Sequence, residues 1–316
     1  MPIASDNIGK RVVANAAVSL SSPFRVFFGL LLIVMAKDYS FLGELPSTLF
    51  RPHLFILSNL LDAWPSAAFF KGSFYLKILL GLFVVLGVHT RFALLGVGVV
   101  GILQNTFIYS FGKIDHSILF DLLPFVLFFS NLGSQHAVLP DKKWHFEKEA
   151  VGAFAFIVVY GFFTAGIGKA LVWLDFDLHT SGFLSWFLSG YYSLGRDELL
   201  AEWVLKFPPL ILEIMDYAAV FFELSGVFFL FWSRKMWFFY LTLICVFHFM
   251  NALFLNIGFA IHIPVVGIWL FIPYFEKFKW LVITIPLFFL LDNILFVALS
   301  WLLMSILGVI SVKNEC

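Results

Sequence analysis

One lysine lies near the end of an otherwise apolar run, a position in which its amine could take part in chemistry. The run, FFTAGIGKAL, covers residues 162–171 and contains Lys169. An ammonium group inside hydrocarbon costs about 3 kcal/mol or more. Snorkelling of the long side chain to the membrane interface is the alternative explanation. If Lys169 does not reach the interface, it is a candidate functional residue.

Three histidines occupy the ends of apolar segments that we predict to reach the same side of the membrane. His116 follows Asp115 at the start of one segment, and His248 and His262 lie late in another segment and just beyond it. Imidazoles serve as general acids and bases near neutral pH. A single histidine in a span is commonly a buried packing residue, but three at the depth of Lys169 indicate a site. We predict that His116, His248, Asp115 and His262 line one pocket with Lys169.

Acidic residues form a stripe on a later apolar segment. Glu213, Asp216 and Glu223 are three and seven residues apart, which places them on one face of a helix. Such a stripe avoids lipid, so it either binds substrate or pairs with Lys169 or Arg25.

Two asparagines complete the predicted substrate-binding set. Asn251 lies one turn after His248, and Asn256 lies at the end of the same segment.

The three histidines could in principle bind zinc, but no HExxH spacing is present, so no metal site is expected. Three polar residues of another segment are predicted to make packing hydrogen bonds: Gln104, Asn105 and Tyr109.

The composition is that of a membrane protein. Of 316 residues, 61% are hydrophobic and only 13% are charged, against about 25% charged residues in soluble domains. The fold class expected is therefore all-α, a polytopic integral membrane protein with about 8–10 transmembrane helices. A net charge of zero gives no basic surface for nucleic acid, and two cysteines build no disulfide framework.

Spans of ~20 residues, the length that crosses a bilayer, can be placed along most of the chain. We predict them at 23–41, 73–89, 92–111, 116–132, 150–173, 209–232, 236–257 and 259–275, with one or two more between 278 and 312. The corresponding division is a cytoplasmic segment (1–22), a main transmembrane domain (23–280) and C-terminal spans with a tail (281–316).

Basic clusters orient the spans. Lys10 and Arg11 precede the first span, and further clusters at 142–148 and 234–235 fall on the same side as these two residues. Basic loops stay in the cytoplasm, so the N-terminus is predicted to be cytoplasmic. Lys169 and the histidines then lie at the extracytoplasmic face. The aromatic segment SGFLSWFLSGYYSLG, residues 181–195, is predicted to lie along that interface.

Four stretches, in the same order along the chain, resemble the vitamin K-dependent gamma-carboxylase family. FFTAGIGKAL resembles its F-x-A-G-[VI]-x-K segment, and DHSILFDLLPF is similar to N-H-S-[YF]-L-x-x-L-L-x-F. FHFMNALFLNIGFAIHI resembles F-H-x-M-N-x-x-x-F-x-I-G-x-F, and FFELSGVFFLF resembles D-L-[ST]-x-G-x-x-L-x-F. The resemblance covers about residues 20–280, the membrane part of that family. The wider group is the horizontally transferred transmembrane domain (HTTM) proteins.

The resemblance implies a mechanism and a cofactor. In the family, a neutral lysine deprotonates a reduced naphthoquinone, reaction with oxygen yields a strong base, and that base removes a γ-proton from a peptide glutamate before carbon dioxide adds. Lys169 matches the lysine, and His116 matches a histidine that stabilises the oxygenated intermediate. His248 and Asn251 match residues that line the same cavity. A reduced, vitamin K-like naphthoquinone is therefore the expected cofactor.

The departures from the family pattern indicate which members this chain resembles. Asp115 replaces the asparagine of the family motif, and no counterpart of the large extracytoplasmic domain is expected. Stand-alone bacterial members include proteins that mature an exported toxin peptide, as in the sporulation-delaying-peptide system. The resemblance thus implies a bacterial inner membrane, an exported peptide substrate and a small accessory protein as partner.

Three functions follow as hypotheses. The first is a membrane enzyme, carboxylase-like or epoxidase-like, with Lys169 at its centre. The second is a non-catalytic partner in toxin-peptide maturation or export, which predicts tolerance of Lys169→Met and sensitivity in the 174–208 loop. The third is a proton-coupled transporter of small solutes, in which Glu213 or Asp216 matters more than Lys169. Inverted repeats, which are typical of such transporters, are not visible in the sequence.

Overall fold

The structure is a computed structural model that describes residues 5–52, 57–111, 117–271 and 293–314. Within these ranges the chain forms helices and no β-strand, which confirms the all-α class. Asp115 and His116, two of the predicted site residues, lie outside the described ranges. The first half of the predicted C-terminal spans, up to residue 292, also lies outside them.

The described residues form α-helices joined by loops and 3₁₀ turns. In chain order the helices are α1 (Ser5–Ala16), α2 (Ser22–Val34), α3 (Ala67–Leu86), α4 (Thr90–Ile108), α5 (Ile118–Phe128), α6 (Glu147–Trp173), α7 (Gly182–Leu194), α8 (Ala201–Val204), α9 (Pro209–Trp232), α10 (Arg234–Leu255), α11 (His262–Leu270) and α12 (Ile294–Asn314).

Within the described ranges, six helices are long and apolar enough to cross a membrane, namely α3, α4, α6, α9, α10 and α12. Two shorter apolar helices, α2 and α5, accompany them. The chain is therefore an integral membrane protein whose helices contact lipid.

Some predicted boundaries differ from the observed ones. The first predicted span, 23–41, is shorter in the structure because α2 stops at Val34, just before the charged pair Lys37 and Asp38. Conversely, α3 starts six residues earlier than the predicted 73, at Ala67. The Ser66 hydroxyl accepts a hydrogen bond from the Phe69 N–H (3.3 Å) and caps this helix start.

The helices belong to two compact units. One unit contains α1, most of α6 and all of α7 to α12. The other contains α2 to α5 and the first residues of α6. Lys169, the acidic stripe and two of the three histidines all lie in the first unit.

Buried aromatic rings form the core of the first unit. The Trp269 ring stacks on Phe154 at 6.0 Å and meets Trp237 edge-on at 5.2 Å. Hydrogen bonds tie α1 to this core, because the Trp269 indole donates to the Ala16 carbonyl (2.8 Å) and the Asn15 amide donates to the Leu230 carbonyl (2.8 Å). The N-terminal helix thus packs on the membrane bundle.

Two buried arginines organise the loops of the second unit. The Arg91 guanidinium donates to three backbone carbonyls, those of Phe128 (2.9 Å), Ser130 (3.3 Å) and Lys142 (3.0 Å), and lies 3.9 Å from the Trp144 ring centroid. Arg25 donates to the carbonyls of Gln135 (3.4 Å) and His136 (2.6 Å). These bonds satisfy carbonyls of a loop that has no regular structure of its own.

Candidate functional site

Lys169 forms an ion pair with Glu223. The lysine lies four residues before the end of α6, and the carboxylate comes from the middle of α9. The Lys169 side chain is 27% exposed, whereas the Glu223 side chain is 4% exposed. Of the acidic stripe, Glu223 therefore pairs with Lys169, as the sequence offered as one alternative, and Arg25 binds loop carbonyls instead.

One oxygen of the pair is left without a partner. Lys169 contacts Oε1 of Glu223, while the buried Oε2 accepts no hydrogen bond from the described residues. The Lys169 Nζ also lies 5.4 Å from the Trp173 ring centroid, within the range of a cation–π contact. The site thus offers an amine, a free acceptor oxygen and an aromatic face.

A glycine brings the two helices of the pair together. A Cβ atom at Gly166 of α6 would lie 3.0 Å from the Glu223 Cβ atom, closer than side chains normally approach. Two other small residues of this helix, Thr164 and Gly168, are four positions apart and lie on one helical face. Thr164 and Gly168 are exposed, and a Cβ at Gly168 would meet nothing within 4 Å, so Gly166 makes the close approach.

Two of the predicted histidines are hydrogen-bonded to each other. The Nε2 atom of His248 lies 3.0 Å from Nδ1 of His262, and the residues are 1% and 2% exposed. Such a bond requires a proton on one nitrogen and a lone pair on the other, so the tautomers of the two rings are coupled. The rings of Phe259 and Trp301 lie 4.7 and 4.6 Å from the His248 ring.

A layer of phenylalanine rings separates the ion pair from the histidine pair. Phe162 lies seven residues before Lys169, on the same face of α6 and two turns away. Its ring lies 5.6 Å from Phe222, the neighbour of Glu223, and 6.0 Å from His248. His248 is buried, whereas Lys169 is partly exposed.

Asp216 of the stripe caps α7. Its carboxylate accepts hydrogen bonds from the N–H groups of Gly182 (3.0 Å) and Phe183 (2.6 Å), and the Ser181 hydroxyl accepts one from Leu184 (3.1 Å). These bonds satisfy the first N–H groups of the helix, which have no partner within it. Asp216, predicted to bind substrate, is thus engaged in holding α7 on α9.

The loop before α7 is ordered by its own aspartates. Asp175 accepts hydrogen bonds from the Asp177 N–H (3.0 Å) and from the Thr180 hydroxyl (2.7 Å). Both bonds favour the charged carboxylate and hold the pKa of Asp175 below its ordinary value.

Glu213, the first residue of the acidic stripe, is buried on α9. It lies one turn before Tyr217, whose hydroxyl accepts a hydrogen bond from the Phe176 N–H (3.1 Å).

Asn256 also has a structural role. It ends α10 in the left-handed conformation (φ 49°), which asparagine tolerates better than most residues. Its side chain accepts a hydrogen bond from the Glu198 N–H (2.6 Å) and donates one to the Glu198 carbonyl (3.0 Å). Asn251 is half-buried one turn after His248, and its carbonyl accepts a bond from the Ile257 N–H (3.3 Å).

The structure thus brings together Lys169 with Glu223 and His248 with His262. The described residues contain no cluster of three or more histidine, cysteine or acidic side chains that could hold a metal ion. Asp115 and His116 lie outside the described ranges, so their predicted roles stay predictions.

A second polar cluster, missed in the sequence, lies in the other unit. Asp121 of α5 accepts a hydrogen bond from the Asn105 amide and interacts electrostatically with Lys77 of α3. Tyr109 and Ser117 share a hydrogen bond (2.9 Å). The packing role predicted for Asn105 and Tyr109 is thus confirmed, whereas the amide of buried Gln104 has no partner among the described residues. The sequence feature that could have revealed this cluster is the carboxylate of Asp121 inside the apolar run ILFDLLPF.

Comparison with protein-family models, with curated proteins and with solved structures finds no match to this chain. The four stretches that resemble the gamma-carboxylase family and the geometry around Lys169 are therefore the observations on which a function can be based.

Proposed function

We propose that this chain is an integral membrane enzyme that uses Lys169 as a base on a lipid-soluble or exported peptide substrate at the outer face of the membrane. The observation that carries the proposal is the Lys169–Glu223 pair, a reachable amine beside a buried carboxylate with one free oxygen. Buried ion pairs contribute little net stability compared with apolar packing, so stability alone gives a weak reason for this arrangement.

The pair can transfer a proton without creating a net charge in the membrane. When the proton moves from Lys169 Nζ to Glu223, the charged pair becomes a neutral amine and a neutral carboxylic acid. The partly exposed amine of Lys169 can then accept a proton from a substrate hydroxyl, while the buried Glu223 keeps the proton that it received.

A reduced naphthoquinone has the chemistry that these residues accommodate. Its ring hydroxyls can give a proton to the partly exposed amine of Lys169, and its apolar ring suits the exposed apolar surface nearby, which includes Ile167, Leu171 and Val172. When bound, such a cofactor would supply the oxygen-dependent redox chemistry that amino-acid side chains lack. Entry from the bilayer would also exclude water from the amine.

The other predicted residues support this centre in different ways. The hydrogen bond between His248 and His262 links α10 to α11, and the His248 ring contacts Phe162 of α6. We propose that this bond positions α10 and α11 beside the site. Asp216 holds α7 beside α9. That engagement weighs against Asp216 as the proton carrier of a transporter, because both of its carboxylate oxygens accept backbone hydrogen bonds that cap α7.

The test is oxygen uptake by the purified chain in lipid vesicles supplied with a reduced naphthoquinone. We compare wild type with Lys169→Arg, which keeps the cation beside Glu223 but stays protonated. The matched control is Lys206→Arg, the same substitution at an exposed lysine of the same unit. We expect Lys169→Arg to lower the rate about a hundredfold or more, and Lys206→Arg to leave it unchanged.

An unchanged rate in Lys169→Arg would exclude Lys169 as the base. If folded wild type shows no uptake, quinone oxygenation is removed from the account. The non-catalytic role in maturation or export of an exported peptide, alongside a small accessory protein, would then be the better proposal. That role predicts defects from changes in the 174–208 loop.

A further inference from the structure

A groove at the C-terminal end of α9 combines one cation with an apolar wall. It has a volume of about 550 Å³, within the ~300–1,000 Å³ typical of small-ligand sites. Its lining comes from α1 and from the last two turns of α9, namely Arg11, Val227, Phe228, Phe231 and Trp232. We propose that this groove binds one anionic phospholipid, with the phosphate at Arg11 and an acyl chain along α9.

The packing of α1 places Arg11 at the groove. Val12 and Ala16 bury their side chains, and the Asn15 amide donates to the Leu230 carbonyl of α9 (2.8 Å). Arg11 lies one turn before Asn15, so it projects from the same side of α1 toward the end of α9. The Arg11 side chain is exposed, and no hydrogen bond or ion pair engages it within the part of the chain that the structure describes.

The wall of the groove faces hydrocarbon rather than water. Phe228 and Trp232 are 71% and 74% exposed, and both belong to a helix that is apolar and long enough to span the membrane. A tryptophan at the end of a span is typical of the level where lipid headgroups begin. The guanidinium of Arg11 therefore lies at headgroup depth, beside a strip of aromatic surface that leads toward the bilayer centre.

This arrangement matches an amphiphile with an anionic head. A guanidinium binds phosphate oxygens through two parallel hydrogen bonds, and the apolar strip accepts an acyl chain. Each basic residue near a membrane surface adds about 1 kcal/mol of attraction to anionic lipid. A zwitterionic headgroup brings its own cation next to Arg11 and loses part of this attraction, which favours the anionic lipid class.

The experiment counts lipid adducts by native mass spectrometry on the full chain in neutral detergent. Phosphatidylglycerol and phosphatidylcholine with identical acyl chains are titrated separately. For wild type we expect about fivefold tighter binding of phosphatidylglycerol. Arg11→Gln should remove this preference. Lys10→Gln, a control at the neighbouring cation that does not line the groove, should retain it.

Two further arms separate a lipid site from a simple anion site. Val227→Phe adds bulk to the apolar wall while keeping Arg11, so it should weaken phosphatidylglycerol binding about as much as Arg11→Gln. Inorganic phosphate at matched concentration should not compete. Equal affinity of wild type for both lipids, an equal loss in Lys10→Gln, full binding in Val227→Phe, or competition by phosphate would each overturn the proposal.

Discussion

Lys169 lies where the surrounding hydrocarbon disfavours a charge and one buried carboxylate compensates for it. The amine of Lys169 reaches the surface, but Glu223 does not. Removing the lysine alone would leave an uncompensated carboxylate in a low-dielectric environment, which is far less favourable than removing both charges. The same coupling that makes the pair useful for proton transfer therefore makes it vulnerable to single substitutions.

We predict that Lys169→Met lowers the free energy of unfolding by about 2–4 kcal/mol. The double variant Lys169→Met/Glu223→Gln should recover most of that loss, because no unpaired charge remains. Thermal unfolding in detergent of the two single variants and the double variant measures this coupling. Losses that simply add would show that the ion pair contributes nothing specific.

Arg91 is likewise a buried charge that depends on its partners, which here are backbone carbonyls. Its guanidinium satisfies the carbonyls of Phe128, Ser130 and Lys142. Arg91→Lys keeps the charge but cannot reach all three carbonyls, so we expect a loss of about 2–3 kcal/mol. Arg51→Lys, at an exposed arginine of the same unit, is the matched control and should unfold at the wild-type temperature. Equal stability of Arg91→Lys and wild type would contradict this role.

At the scale of elements, α7 depends on a carboxylate that belongs to another helix. Asp216→Ala removes the acceptor for two N–H groups of α7, and we expect it to destabilise this helix by about 1–2 kcal/mol. Hydrogen–deuterium exchange should therefore rise in residues 182–194 and stay unchanged in α10 and α12. Uniform exchange across the unit would mean that Asp216 supports the whole bundle instead.

The elements that were predicted well are those whose own sequence determines them. The predicted bounds of α4, α9 and α10, which were read from long apolar runs, lie within three residues of the observed bounds. This agreement follows because a bilayer constrains the length and composition of each span separately. The Lys169–Glu223 pair was foreseen as one option of the acidic stripe, since helical spacing fixes which residues share a face.

Features that depend on distant packing could not be read from the chain. Nothing in the sequence around Asp216 indicates that the start of α7 lies within hydrogen-bond distance of it. The partnership of His248 with His262 likewise depends on how α11 folds back after Asn256. Asp121 escaped notice because an apolar run hides a single carboxylate, although a charge in such a run is itself informative.

At the scale of the whole molecule, the distribution of basic residues predicts a cytoplasmic N-terminus. In a chain whose Cys316 is replaced by serine, Lys143→Cys should resist a membrane-impermeant maleimide added outside intact cells, and Arg196→Cys should react. Cys245 is buried and should stay silent. Labelling in the reverse order would invert the predicted topology and place Lys169 at the inner face.

The most direct measurement of the central proposal is the ionisation of a reduced naphthoquinone on mixing with the protein without oxygen. Absorbance reports loss of the hydroxyl proton before any redox chemistry can follow. The account predicts that wild type produces the ionised form and that Lys169→Arg, which keeps its proton, does not. Equal ionisation with both proteins, or none with folded wild type, would contradict the assignment of Lys169 as a base.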